Sequence, residues 1–404
     1  MKELKGTNID SSKEFAPGWL GDYVSVCGRN RIPQSFHLLS GLCGLGTVVG
    51  RTASVHRSSF TLFPPQSILL LGNSGVGKSQ ALRMMKTVIV RATTPMANFP
   101  PRPAFYLGSG TLTPRGLMQD WLEMQSVDQT DVLEGIHIEG EIANLIQARK
   151  GTENLTTWMI QVLEHDVVED RTGTYGIVKI GGVTACFALG STLEYLRKSI
   201  SADEFAGGFM HRFLVGYEEE QDYGKTEISP KDDEMDFLAL ELRKIHAGAP
   251  KNLSISSGAE KHLDLLHNRQ TFYSNHYLSG FWNRYDGLVL KVAQLFTLAQ
   301  RKTTVSREDV RLADRLFSEH LYEPLAGIID QVSSSREHKH LLAVSDSLKS
   351  AGPKGWNTDT LINKLGLGGS WKATDAIRYM EEAGLIFRKG TSRWVGRASW
   401  IETD

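Results

Sequence analysis

From Ser67 to Tyr217 short apolar runs alternate with amphipathic segments: Ile68 to Leu71, Phe105 to Leu107, Ile136 to Ile138, Val183 to Leu189 and Phe213 to Tyr217. Short runs separated by stretches long enough to cross back over a sheet predict buried strands in an α/β core with a largely parallel sheet. Upstream, "WLGDYVSVCGRNRIPQSFHLLSGLCGLGTVVG" (19 to 50) mixes apolar and small residues at helical spacing and breaks near Pro33. This predicts a helical lead-in packed against the core. Downstream, the charged stretch "EEEQDYGKTEISPKDDE" (218 to 234) closes the core, and "YDGLVLKVAQLFTLAQ" and "SREDVRLADRLFSEHLYEPL" predict long helices. Ser306 is the expected N-cap of the second, with Glu308 and Asp309 placing negative charge in its first turn. After a hinge at Ser333 to Ser335, three helical patterns precede "IFRKGTSRWVGRASWI", whose alternation around Gly390 and Thr391 predicts a hairpin. The expected units are a helical lead-in (1–60), an α/β core (61–220), a second helical unit (233–332) and a last module (337–404).

Composition narrows the picture only a little. A chain of 404 residues with formal net charge −1 has room for several domains, and any nucleic-acid contact must come from local basic patches. Cys27, Cys43 and Cys186 are widely spaced without a C-x-x-C pair, which argues against zinc and for a reducing compartment. All three are expected to be buried. "MKELKGTNIDSSKEF" lacks the apolar segment of a signal peptide, and no run approaches the roughly 18 apolar residues of a membrane span. The expectation is a cytoplasmic protein with no membrane partner.

The candidate chemistry begins where the first apolar run meets "GNSGVGKS". Gly72, Gly77, Lys78 and Ser79 match G-x-x-x-x-G-K-[ST], with a strand-like run before and a helix-like run, Gln80 to Met85, after. Glycines let backbone N–H groups close around phosphate oxygens, and the following helix start adds partial positive charge. Gly72, Asn73, Ser74, Gly75, Val76, Gly77, Lys78, Ser79 and Gln80 are therefore the expected cradle for ATP or GTP. Lys78 would reach the β- and γ-phosphates and Ser79 would hold Mg²⁺. The bland alternative is a plain turn between core elements, and kinases and GTPases also own such loops.

A hydrolytic loop of this kind needs an acidic residue at a neighbouring strand end, and "GIHIEGEIANLI" supplies Glu139 and Glu141. Glu141 is the candidate for positioning water and Glu139 the second. Gly140 stands where an aspartate commonly precedes the glutamate, so the metal-holding part falls to Glu139 or to a water-mediated contact. Without the loop, both read as solvated carboxylates at a strand end. "VTACFALGSTLEYL" ends in Ser191 and Thr192, where a hydroxyl such as that of Ser191 could sense the γ-phosphate. In "EFAGGFMHRFLVGY", Arg212 reads either as an arginine finger reaching a nucleotide held by the neighbouring subunit or as an ordinary pairing arginine at a strand start.

This order of loop, acidic strand end, polar strand end and Arg-Phe resembles the AAA+ ATPases. "GSTLEYLRKSISADEFAGGFMHRFLV" resembles a phage and mobile-element family of replicative helicases attached to primases, over about Phe15 to Leu325. Gly207-Gly208-x-x-x-Arg212-Phe213 is its more specific part. "RYDGLVLKVAQLFTLAQ" with "TTVSREDVRLADRLF" resembles the lid of minichromosome maintenance helicases, which makes Arg284 the second sensor. Read alone, Arg284 is a polar residue at a helix start, where a cation is electrostatically disfavoured. The resemblance implies a ring, six subunits by analogy, with ATP and Mg²⁺ between subunits and DNA in the channel. Residues 165 to 182 read as a hairpin that could line that channel through Arg171 and Lys179, or lie plainly on the surface.

The last module resembles a winged-helix domain. Its third helix would present Lys372 and Arg378, and its wing Arg388, Lys389, Arg393 and Arg397, to duplex phosphates. Winged helices also serve as protein contacts. The expected function is an ATP-driven DNA helicase or translocase for replication of a phage or mobile element, with a primase or polymerase as a possible partner. The alternatives are a nucleotide-switched DNA-binding adaptor, such as a helicase loader or origin-binding factor, and a small-molecule kinase, for which the C-terminal module has no evident use.

Overall fold

The computed structural model describes residues 6–7, 9, 12–57, 60–96, 105–110, 114–142, 155–164, 168–172, 176–199, 209–223, 228–270, 279–332, 348, 355–365, 377, 386–389 and 393–396. All five expected strands are present: β1 Ser67–Gly72, β2 Phe105–Ser109, β3 Leu133–Glu139, β4 Val183–Ser191 and β5 Phe213–Glu218. They form one parallel sheet in the order β2-β3-β4-β1-β5. Every residue of β1 and β5 is buried, as expected of strands covered on both faces. The free edge of β5 is partly closed by the N-terminal segment, where Thr7 N donates to Tyr217 O at 2.8 Å and Tyr217 N donates to the Thr7 hydroxyl at 2.8 Å.

Two helices of the lead-in, α1 Trp19–Cys27 and α2 Gln34–Val49, pack against α3 Lys78–Thr93 and the sheet. Every residue of α2 after Gln34 is buried, the signature of a helix enclosed on all sides. Its small residues permit this: a Cβ at Gly46 would lie 3.1 Å from the Pro65 backbone. Buried residues from Ile9 to Ile329 join in one core, so lead-in, sheet and lid share their packing. Cys27, Cys43 and Cys186 are buried free thiols within it.

The region expected to be the lid contains α4 Asp232–Gly248, a helix at Ser257–Gln270, α5 Tyr285–Ala299 and α6 Arg307–Arg315. Ser306 caps α6 as expected, its hydroxyl accepting from Asp309 N at 3.2 Å, while Ser306 N donates to the Asp309 carboxylate at 3.0 Å. The predicted single helix after Ser306 is broken by a π-type turn at Leu316–Leu321 before α7 Tyr322–Val332. Pro324 has no N–H for the carbonyl four residues earlier, and the wider turn lies just upstream of it.

Two antiparallel hairpins also form where alternation predicts them, Val168–Thr172 with Gly176–Ile180, and Ile386–Lys389 with Arg393–Gly396. The second is joined by Trp356–Asn357 into a three-stranded sheet, next to a helix at Thr358–Leu365. Among the described residues, no helix is long and apolar enough to cross a membrane.

Candidate nucleotide site

The loop after β1 has the conformation its glycines allow. Gly75 and Gly77 have φ of +87° and +104°, in the left-handed region that disfavours side chains. Packing fixes Gly72 and again Gly77: a Cβ at Gly72 would lie 2.0 Å from the Glu218 carbonyl oxygen, and one at Gly77 would lie 2.6 Å from Ile32. Gly75 instead faces open space, and Asn73, Ser74 and Ser79 are exposed beside it. Val76 is buried and Gln80 half-buried, in the first turn of α3. Lys78 begins that helix and is buried. Its Nζ donates to the carbonyl oxygens of Gly72 and Asn73, both at 2.8 Å.

Glu139, Glu141 and Ser191 meet this loop at the same end of the sheet. Glu139 is the buried last residue of β3, and its carboxylate accepts from Glu141 N at 3.1 Å. The fully buried Ser191, last residue of β4, donates to the Glu141 carboxylate at 2.6 Å. Burial lowers the pKa of Lys78, while the Glu141 charge raises it part of the way back, which places that carboxylate within electrostatic reach of the loop. The acidic strand is the next but one to β1 and not its immediate neighbour, because β4 lies between them. At ~4.8 Å per strand, this leaves roughly 10 Å between the lysine and acidic strands.

Gly140 is tied to the same spot. A Cβ there would lie 3.1 Å from the Ser79 hydroxyl, and a Cβ at Gly190 would lie 2.6 Å from the Gly140 carbonyl oxygen. The Ser79 hydroxyl therefore abuts the end of β3 next to Glu139. Two oxygen donors of this kind fit Mg²⁺, which takes one or two protein oxygens and completes its shell with phosphates and water.

Arg212 and Arg284 lie at the other end of the sheet. Arg212 immediately precedes β5, whose Phe213 pairs with Ser67 at the start of β1. Five residue steps separate Ser67 from Gly72, about 17 Å at ~3.3 Å per residue, which is longer than an arginine side chain. Arg212 is buried, and its carbonyl accepts from the Gln66 amide at 2.9 Å. Arg284 stands at the N-cap of α5 and donates to the Gly280 carbonyl at 3.0 Å. His211 lies between the two arginines electrostatically: burial, then Arg284 and Arg212, push its pKa down to about 4. Arg212 and Arg284 line a cleft of about 660 Å³ together with His211 and Lys291.

Of the residues expected to contact DNA, Arg171 and Lys179 fall on the two strands of the first hairpin, and Arg388, Lys389 and Arg393 on those of the second, where Lys389 pairs with Arg393 in register. Lys372, Arg378 and Arg397 lie outside the described residues, as does the Gly207-Gly208 segment. Sequence reasoning missed the strap over the loop, in which Gln221 Nε2 donates to Gly75 O at 2.6 Å and Asn73 Nδ2 donates to Glu219 O at 3.1 Å. No motif marks it. It also missed Gly190, although a glycine inside an apolar strand signals a close backbone approach. No protein-family model matches the chain, and no curated protein matches it.

Proposed function

We propose that this chain is an AAA+-type ATPase that works as a ring-shaped DNA helicase or translocase for a phage or mobile element, with a winged-helix module at its C-terminus. The observation that carries it is the division of the site between two ends of one sheet: Lys78, Ser79, Glu139, Glu141 and Ser191 at one, Arg212 and Arg284 at the other. A head-to-tail contact brings the second end of one subunit to the first end of the next, and such contacts close into rings. The arginines then act on the neighbour's nucleotide, because their own loop lies about 17 Å away by strand rise.

In this mechanism the loop and Lys78 bind ATP, and Lys78 leaves its two carbonyl partners for phosphate oxygens. Ser79 and Glu139 would hold Mg²⁺, which would neutralise phosphate charge. Ser191 fixes the Glu141 carboxylate through its hydroxyl, and Glu141 orients a water toward the γ-phosphorus. Water adds, the bond from the γ-phosphorus to the bridging oxygen breaks, ADP and inorganic phosphate leave, and the water's proton passes through Glu141 to solvent. Arg212 and Arg284 of the neighbour stabilise the charge that develops. Arg171 and Lys179 on the first hairpin track the DNA backbone, while Lys372, Arg378, Arg388, Lys389, Arg393 and Arg397 contact duplex.

Unwinding of forked DNA by the purified protein, with and without ATP, tests the proposal. ATP-dependent strand displacement and DNA-stimulated turnover, both abolished by Lys78→Ala, are the expected results. A protein that stays strictly monomeric with ATP overturns the ring and the trans-acting arginines. Binding of ATP and DNA without displacement would favour the adaptor instead, a reading supported by Gly140 in the usual aspartate position.

A further inference from the structure

The glycines of the phosphate loop are not held alike. Packing confines Gly72 and Gly77, where a Cβ would lie 2.0 Å from the Glu218 carbonyl oxygen and 2.6 Å from Ile32, whereas a Cβ at Gly75 would meet nothing within 4 Å. Gly75 also has φ of +87°, a region that glycine enters as readily as its mirror image. The peptide after such a residue can turn over with little steric resistance. Local sequence therefore leaves the crown of the loop with a choice of shapes.

Gln221 meets the loop at this crown. Its Nε2 donates to Gly75 O at 2.6 Å, and a carbonyl oxygen can only accept, so the amide must present its nitrogen there. The strap carrying this half-buried side chain is fastened on both sides. Before it, Ser35 donates to the buried Glu218 carboxylate at 2.6 Å, the Tyr217 hydroxyl to the Glu219 carboxylate at 2.8 Å, and Asn73 Nδ2 to Glu219 O at 3.1 Å. After it, Asp222 N donates to Arg31 O at 2.8 Å, between α1 and α2. A donor on so fixed a support has little freedom left to lose in making its bond.

The Gly75 carbonyl and the Val76 N–H belong to one planar trans peptide and point in opposite directions. Gln221 draws the carbonyl to the strap, so the plane turns the Val76 N–H away from it. That N–H reaches Asn73 O at 3.4 Å, the carbonyl that Lys78 Nζ reaches at 2.8 Å. It thus points toward the lysine assigned to phosphate, through a long bond that a charged phosphate oxygen would better. With the plane turned over, the Gly75 oxygen would face the phosphates and repel them.

We infer that Gln221 is a positioning residue for ATP: through the Gly75–Val76 peptide it keeps the Val76 N–H aimed beside Lys78 at the phosphates. This rests on the proposal that the loop binds ATP. The aim serves bound substrate and transition state alike, so it sets affinity and not the rate of the chemical step.

ATP binding, steady-state turnover and urea unfolding of Gln221→Met and Gln221→Glu in the full chain test it. Methionine keeps the length of the side chain without a donor. A neutral hydrogen bond of this kind is worth about 3–10-fold in an equilibrium constant. Gln221→Met is expected to raise Kd and KM for ATP by that factor, with the loss in KM and not in kcat. Glutamate has the shape of glutamine, yet it repels the Gly75 carbonyl and accepts from the Val76 N–H of the turned plane. Its Kd should exceed that of the methionine variant, and still exceed it at high salt, which screens the added charge.

Wild-type ATP affinity in Gln221→Met overturns the inference, as does a fall in kcat at unchanged KM. A loss of affinity that comes with a lowered urea midpoint also overturns it, because the whole strap has then come loose. Failure of the wild-type chain to bind ATP is a different result, which removes the proposed function beneath it.

Discussion

Replacing Ser191 with alanine deletes the hydroxyl that donates to Glu141 at 2.6 Å, the bond that in the proposed mechanism holds the water-orienting carboxylate. A hydrogen bond to a charged group contributes about 1.5–3 kcal/mol when it is shielded from solvent. Ser191 is fully buried but Glu141 is half-exposed, so water will satisfy much of the released carboxylate and the stability loss should be about 1 kcal/mol. Catalysis has no such substitute, because a carboxylate solvated in several orientations no longer aims one water. The whole 1.5–3 kcal/mol then enters the barrier, a fall of roughly 10–150-fold in kcat. Ser191→Thr keeps the oxygen and should recover part of the rate. Turnover at saturating ATP, alongside urea unfolding, separates the two effects. A stability loss with unchanged kcat would make the bond purely structural. A faster Ser191→Ala enzyme would mean that the serine restrains Glu141 in an unproductive position, the reverse of the role assigned to it.

Three further outcomes follow from the same site and its surroundings. Lys78 must be cationic to hold phosphates, and its pKa is already lowered by burial against the opposing effect of Glu141, so ATP affinity should fall as pH rises through that lowered value. Glu141→Gln removes the supporting charge and should move this alkaline limb to lower pH, which equilibrium ATP binding between neutral and alkaline pH would read; an unmoved limb would refute the coupling. His137 and His211, both pushed down to about 4, chiefly by burial, leave the unfolded chain binding more protons between pH 6.5 and 4. Stability is therefore full above pH 6.5 and falls as pH drops toward 4, by about 3 kcal/mol for each residue, and His211→Gln should remove its share in urea titrations at pH 7 and 4.5. Finally, if Glu139 holds the metal, Glu139→Gln should raise the Mg²⁺ needed for half-maximal turnover about tenfold, a loss of ~1.4 kcal/mol. Adding Gly140→Asp, whose Cβ would lie 3.1 Å from the Ser79 hydroxyl and 3.7 Å from Ser79 Cβ, should reverse it.

The strands and the loop were legible because each is encoded within a few consecutive residues. Apolar runs such as Ile68 to Leu71 need only local pattern to be read as buried strands, and Gly72, Gly77, Lys78 and Ser79 carry their own backbone requirement. The strand order was not legible, since each crossover is long enough to place the next strand on either side. That order decides the chemistry: it sets β4 between Lys78 and the carboxylates and so makes Ser191 the residue that touches Glu141. The full burial of α2 was likewise hidden, because its glycines and serines dilute the apolar pattern while allowing the close packing that encloses it.

Arg212 and Arg284 were each visible as an arginine at an unusual place, but their convergence was not, because one precedes a strand and the other opens a helix of the lid. Their meeting in one cleft changes what each can do. Two guanidinium groups and Lys291 line it together with His211, which burial and those same arginines keep neutral, and with Asp286, the one carboxylate among its described lining residues. In the proposed ring a phosphate-bearing group of the neighbour enters this cleft and binds those cations across the subunit contact. Subunit association should accordingly be stronger with nucleotide bound than without it, and weaker at high salt.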